Sequence, residues 1–111
     1  MTTIFGKIIR GELPSEKVFE NETILAIKDI YPVAPVHLLI IPKKEIANFQ
    51  AMTAEDYALL PEIASVAQQL AREFGVAEDY RLLTNCGERA GQTVFHLHFH
   101  LIGGKTLGPM A

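Results

Sequence analysis

One cysteine, Cys86, is all that the 111 residues contain, so no intrachain disulfide can staple this fold. A solitary thiol suits a reducing compartment, and the opening residues, Met-Thr-Thr-Ile-Phe-Gly-Lys, lack the charged-then-apolar pattern of a signal peptide. No apolar run approaches the ~18 residues of a membrane span. A cytoplasmic protein with no membrane partner is therefore expected. Basic clusters are also missing: Lys and Arg number 10 against 13 Asp and Glu, for a net charge of −3, and no basic run exceeds Lys43-Lys44. A surface that neutralises a row of phosphates is thereby excluded, and no nucleic-acid partner is expected. Repeats, low-complexity stretches and linkers are absent as well. The chain is too short for two cores, so one domain spanning residues 1–111 is expected.

What is present suffices for a packed core, since 49% of the residues are hydrophobic and mean hydropathy is slightly positive. Ile4, Phe5, Ile8 and Ile9 recur at helical spacing over residues 3–10, with Gly11 placed as a stop and Pro14 beyond it. Residues 17–20 and 23–29 read as two antiparallel strands joined by a tight turn at Asn21-Glu22. Prolines 32 and 35 break the pattern before a third strand, residues 36–41, which stops at Pro42. Thr53 and Asp56 resemble a capping box opening one long helix, whose stripe is Leu60, Ile63, Ala64, Ala67, Leu70, Ala71 and Phe74, with Gly75 as cap. Pro61 is awkward there and predicts a kink or restart near Tyr57. Residues 80–85 read as a fourth strand and residues 87–91 as a polar loop. Residues 96–102 make a fifth strand, ended by Gly103-Gly104. Strands, one long helix and strands again argue for an α+β fold: an antiparallel five-stranded sheet with one long and one short helix.

The fifth strand reads His-Leu-His-Phe-His-Leu-Ile. With period-two alternation His96, His98 and His100 share one face, which predicts chemistry there, while Leu97, Phe99 and Leu101 face a core. The only other histidine, His37, lies on the third strand. Same-face neighbours on a strand stand ~6.6 Å apart and the outer pair ~13 Å, whereas a Zn–N bond is only ~2.0–2.1 Å. Three such imidazoles cannot easily converge on one ion, although His96, His98 and His37 together leave a site open. Nucleophilic catalysis fits better. A neutral imidazole attacks at pH 7, a second acts on the leaving group, and a third fixes the tautomer of the first. An anionic phosphorus centre gains from surrounding donors as charge builds.

The run Gly91-Gln92-Thr93-Val94-Phe95-His96-Leu97-His98-Phe99-His100-Leu101-Ile102-Gly103-Gly104 resembles the signature of the histidine-triad nucleotide-binding superfamily, His-φ-His-φ-His-φ-φ. Similarity extends to residues 3–9, to Asp29-Ile30 and to residues 34–44. The Gly-Gly after the triad and Leu107-Gly108-Pro109-Met110 are similar to the bacterial Hint branch, the purine nucleoside phosphoramidases.

That resemblance implies a hydrolase cleaving the P–N bond of purine nucleoside 5′-phosphoramidates, with a nucleotide of AMP or GMP type as ligand and no cofactor. It implies that His98 attacks the α-phosphorus, that His100 lies against phosphate and leaving group, and that His96 and His37 complete the imidazole network orienting His98. Asp29 would hold the ribose hydroxyls and Ile30 would pack on the purine. Asn85, Gly91, Gln92 and Thr93 would contact phosphate and leaving group. The family commonly has Ser where this chain has Thr93, which keeps the hydroxyl but adds a methyl. A homodimer with a sheet continuous across both subunits is implied, consistent with the alanine-rich second surface of the long helix. No metal is expected, because Cys86 has no second cysteine to complete a mixed site. Rival functions are hydrolysis of dinucleoside polyphosphates or adenylyl conjugates on the same fold, and a nucleotide-binding scaffold with vestigial hydrolysis.

Overall fold

The computed structural model describes residues 3–110. Helix α1, Ile4–Ile9, begins where the Thr3 hydroxyl accepts the Gly6 N–H at 3.2 Å, and it turns Phe5 and Ile8 inward. Strands β1, Lys17–Glu20, and β2, Ile24–Lys28, form the expected hairpin. The turn is set by Asn21, whose Oδ1 accepts the N–H groups of Thr23 and Ile24 at 2.9 and 2.7 Å. With β3 (Val36–Pro42), β4 (Tyr80–Leu83) and β5 (Phe99–Gly103) they make one antiparallel sheet in the order β1-β2-β3-β5-β4. The chain therefore has the α+β fold expected of it. No helix among the described residues is long and apolar enough to cross a membrane.

The capping box at Thr53 and Asp56 is present, but it opens a 3-10 turn, Ala54–Ala58, and helix α2 runs only from Leu59 to Glu73. Pro61 explains the restart. As the third residue of α2 its missing N–H falls in a turn that has no intrahelical acceptors, while its ring would clash with an α-helical carbonyl four residues earlier.

Both faces of the sheet are covered. Ile24, Ala26, Leu38, Ile40 and Leu101 pack on Ile63, Val66, Ala67, Leu70 and Ala71 of α2. Leu25, Ile27, Leu39 and Ile41 on the opposite face pack on Phe5 and Ile8 of α1. This is why residues 24–27 and 38–41 are apolar without alternation. The imidazoles sit on the α1 face, so the expected division into one chemical face and one core face is corrected: the histidine face carries a core of its own.

A second correction concerns strand ends. β5 starts at Phe99 instead of residue 96, and β4 stops at Leu83 instead of residue 85, so the last rungs are Ile40 with Phe99 and Leu83 with His100. Residues 92–97 are instead drawn against residues 42–48. The Leu97 N–H donates to the Ile46 carbonyl at 2.6 Å, His96 Nε2 to the Pro42 carbonyl at 2.8 Å, and Gln92 Nε2 to the Ala47 carbonyl at 2.8 Å. At the far end of β5, Gly103 allows close approach: a Cβ there would lie 3.1 Å from the Asp79 carbonyl and the Val76 side chain, a tight fit.

Candidate active site

Although the ladder ends at Phe99, alternation persists to Leu97. Leu97, Phe99 and Leu101 point toward the α2 side, and His98 and His100 stay on the α1 side with ring centroids 5.1 Å apart. The β3–β5 register sets His37 opposite Ile102 and Leu39 opposite His100, so His37 reaches His100 diagonally. Their rings are 5.2 Å apart, with His37 Nε2 2.9 Å from His100 Nδ1. Phe5 of α1 lies edge-on to His98, at 4.8 Å and 83°, and closes the site from above the sheet.

The hydrogen-bond partners assign the tautomers. His37 Nδ1 accepts the Val33 N–H at 3.2 Å, so its proton is on Nε2, which donates to His100 Nδ1; Asp29 Oδ2 lies 3.3 Å from the same nitrogen. His100 then carries its proton on Nε2. His98 Nδ1 donates to the His96 carbonyl at 2.7 Å, which leaves the lone pair of His98 on Nε2. One nitrogen offers electrons and its neighbour offers a proton donor.

Burial reinforces this. His37 and His98 are buried, and burial is the main cause that holds both below the usual imidazole value, in His37 against the opposing pull of the Asp29 carboxylate. His100 is pushed down to about 4, by burial first and then by His98 and His37 beside it. Each of the three is thereby held toward its neutral form.

Other expected residues fall in two groups. Asp29 joins the histidines, with Oδ1 accepting the Tyr31 N–H at 2.8 Å, and Ile30 beside it is 77% exposed. Asn85 and Gly91 are neighbours: a Cβ on Gly91, whose φ is +103°, would stand 3.7 Å from Asn85 Nδ2. Thr93 is exposed. Gln92, by contrast, does not present its amide to a ligand. It is 2% exposed, Oε1 accepts the Gly87 N–H at 2.9 Å, and Nε2 donates to the carbonyls of Ala47 and Val94. It ties the loop of residues 87–91 to the rest of the site. His96 is corrected similarly: its buried ring is bonded to Pro42 and lies outside the imidazole network, which it serves through its backbone carbonyl.

Asp29, His37 and His100 place one donor atom each within 4.8 Å of one another, compact enough for a metal ion. The tautomer of His37 opposes it. An imidazole that ligates through one nitrogen ordinarily donates a proton from the other, and here Nδ1 faces the Val33 N–H and must accept. The triple of His96, His98 and His37 is not assembled, because the His96 ring points to Pro42.

A profile of the HIT domain matches residues 10–107. The chain belongs to the HIT family. A HIT-like protein of Chlamydia pneumoniae is 53% identical over 109 residues, covering 98% of this chain and 99% of the relative. Purine nucleoside phosphoramidase of Escherichia coli K12 is 46% identical over 109 residues, 97% of this chain and 92% of that one. A HIT family hydrolase from Clostridium thermocellum has the same fold with a TM-score of 0.94 at 52% identity, covering 97% and 95% of the two chains.

Within this HIT domain two contributors were not visible as site residues in the sequence. Phe5 reads as an ordinary core residue of an amphipathic helix, and nothing in its spacing announces the edge contact with His98. Thr84 reads as a strand residue, yet its hydroxyl donates to the His98 carbonyl at 2.7 Å. A surface cleft of about 720 Å³, lined by Tyr80, Arg81 and Lys105 among others, lies at the far end of β5 and holds no histidine. The candidate site is the cluster of His37, His98 and His100 with Asp29, where hydrogen bonds set the tautomers.

Proposed function

We propose that this HIT-family hydrolase cleaves purine nucleoside 5′-phosphoramidates through a nucleotidyl-histidine on His98. The observation that carries the proposal is the 2.7 Å bond from His98 Nδ1 to the His96 carbonyl, which leaves Nε2 unprotonated and aimed away from the backbone. In the first step Nε2 forms a bond to the α-phosphorus as the P–N bond breaks, and the leaving nitrogen takes one proton from solvent so that a neutral amine departs. The modified ring is cationic, and the His96 carbonyl stabilises its Nδ1–H. In the second step water forms the new P–O bond, the P–Nε2 bond breaks, and one proton of that water goes to solvent, replacing the one taken in the first step. His100, held by His37, directs its Nε2–H as a hydrogen bond at the phosphoryl oxygens or the leaving nitrogen.

Asp29 accepts the ribose hydroxyls, Ile30 packs on the purine, and Asn85, Gly91 and Thr93 approach phosphate and leaving group. The name of the Escherichia coli relative supports a phosphoramidate as substrate. A homodimer is proposed on the free edge of β4, where Leu82 is 41% exposed and Ala64 and Ser65 of α2 are uncovered.

Rapid quench of wild type with a labelled adenosine phosphoramidate, followed by intact-mass analysis, tests the mechanism. An adduct of one nucleotidyl group is expected on wild type and none on His98→Asn, whose turnover falls by several orders of magnitude. Chelator-sensitive turnover with no adduct refutes it. Faster turnover of a dinucleoside polyphosphate than of any phosphoramidate favours the rival hydrolase, and tight AMP binding with negligible turnover favours the scaffold.

A further inference from the structure

We propose that Thr84 is a positioning residue for His98, its side chain replacing a ladder bond that the sheet has given up. The inference rests on the reading of His98 as nucleophile. β4 ends at Leu83, which pairs with His100; continuing that register would set Thr84 against Phe99 and Asn85 against His98. Those rungs are not formed. Instead the half-buried Thr84 Oγ1 donates to the His98 carbonyl at 2.7 Å.

Two consequences follow from this exchange. The peptide group of His98 is gripped from the β4 side by Thr84, while its ring is gripped through Nδ1 by the His96 carbonyl. Backbone and side chain of the nucleophile are therefore fixed independently, which restricts the direction in which Nε2 points. Asn85, released from the ladder, lies against Gly91 at the edge of the site. An ordinary rung would hold His98 equally well but would tie Asn85 into the sheet. A side-chain hydroxyl is the device that holds one and frees the other. The β-branch of threonine suits it, because χ1 is restricted before the bond is made.

The test compares wild type, Thr84→Val, Thr84→Ser and His98→Asn with an adenosine 5′-phosphoramidate. Adduct formation, steady-state constants and the His98 ring signals in ¹H–¹⁵N spectra of the free protein are measured together. Valine keeps the shape and removes the donor, so kcat and the rate of adduct formation should fall about two- to tenfold, the worth of one hydrogen bond, with KM little changed. The His98 ring signals should broaden or split. Serine should restore both. A Thr84→Val enzyme with wild-type adduct rate and unchanged ring signals overturns the inference, and an equal loss in Thr84→Ser overturns the role of the hydroxyl. If the wild type gives neither adduct nor turnover, the phosphoramidase reading fails and the ring signals alone decide whether Thr84 holds His98. A general loss of stability would lower the melting temperature without changing the ring signals below it.

Discussion

Phe5 is the sharpest point at which stability and chemistry meet in this molecule. It is 7% exposed, packs with Ile8, Leu25, Ile27, Leu39 and Ile41, and presents its edge to His98 at 4.8 Å. Truncation to alanine removes a buried ring, for which losses of ~3–5 kcal/mol are usual when the cavity persists. Helix α1 has only six residues and can settle toward the sheet, so the lower end, about 3 kcal/mol, is expected. Phe5→Leu retains most of the apolar volume and loses chiefly the edge contact, about 1 kcal/mol. Denaturant midpoints at constant m-value measure both.

The same substitution has a second readout. Burial is the first cause of the lowered His98 pKa, so uncovering the ring must raise it toward 6.5 in Phe5→Ala and hardly move it in Phe5→Leu. An NMR titration of the His98 ring measures the shift. An alanine variant whose His98 titrates as in wild type, or whose stability falls by less than about 1 kcal/mol, refutes the assignment of Phe5 as the cover of the site.

Asp29→Ala should weaken AMP binding roughly 10- to 150-fold, the effect of losing ~1.5–3 kcal/mol of hydrogen bonding to a charged acceptor, and calorimetry showing unchanged affinity removes Asp29 from the ribose site. The acid limb of kcat/KM should lie below pH 6.5, because His98 must be neutral to attack and its pKa is depressed; a limb above 6.5 contradicts the assignment. Stability should fall on acidification from pH 6.5 to about 4, since the unfolded chain takes up a proton that folded His100 refuses over that window; a denaturation midpoint flat across it, or rising toward acid, refutes the burial of this network. Sedimentation at micromolar concentration should give the mass of two chains, and a monomer counts against the β4 edge as an interface.

Much of the fold was legible because its signals are local. The hairpin turn, the start of α1, most of the stripe of α2 and the run ending at Pro42 each follow from a few adjacent residues, although Ala64, expected in that stripe, is exposed; Pro61 accounts for the restart of the helix. That His98 and His100 share one face was legible from their spacing, and the family from a resemblance spanning most of the chain. What escaped was the work of side chains bonded to distant backbone. Gln92 reaches Ala47 across 45 positions and His96 reaches Pro42 across 54, and no periodicity encodes either bond. Both residues look like site residues in the sequence because they lie beside site residues; the structure uses their polar groups to hold loops.

The early end of β5 is what sets the tautomer of His98. In a continuous ladder the carbonyl of residue 96 would lie in the plane of the sheet, occupied by an N–H of the neighbouring strand, and could not accept from a side chain two residues along. Three imidazoles on such a strand would alternate correctly and stand close together, yet the Nδ1 of the middle one would find no acceptor and its tautomer would be unset. Here the bonds of His96, Leu97 and Gln92 to residues 42–48 pull the chain off the ladder, and the His96 carbonyl becomes free to take the His98 Nδ1 proton. The cost is that His98, the proposed nucleophile, sits on backbone with no rung beneath it, and the bonds of Thr84 to His98 and of His37 to His100 limit that cost from the two flanking strands. The alternating histidines select the face, but only where pairing stops can the backbone between them select the proton.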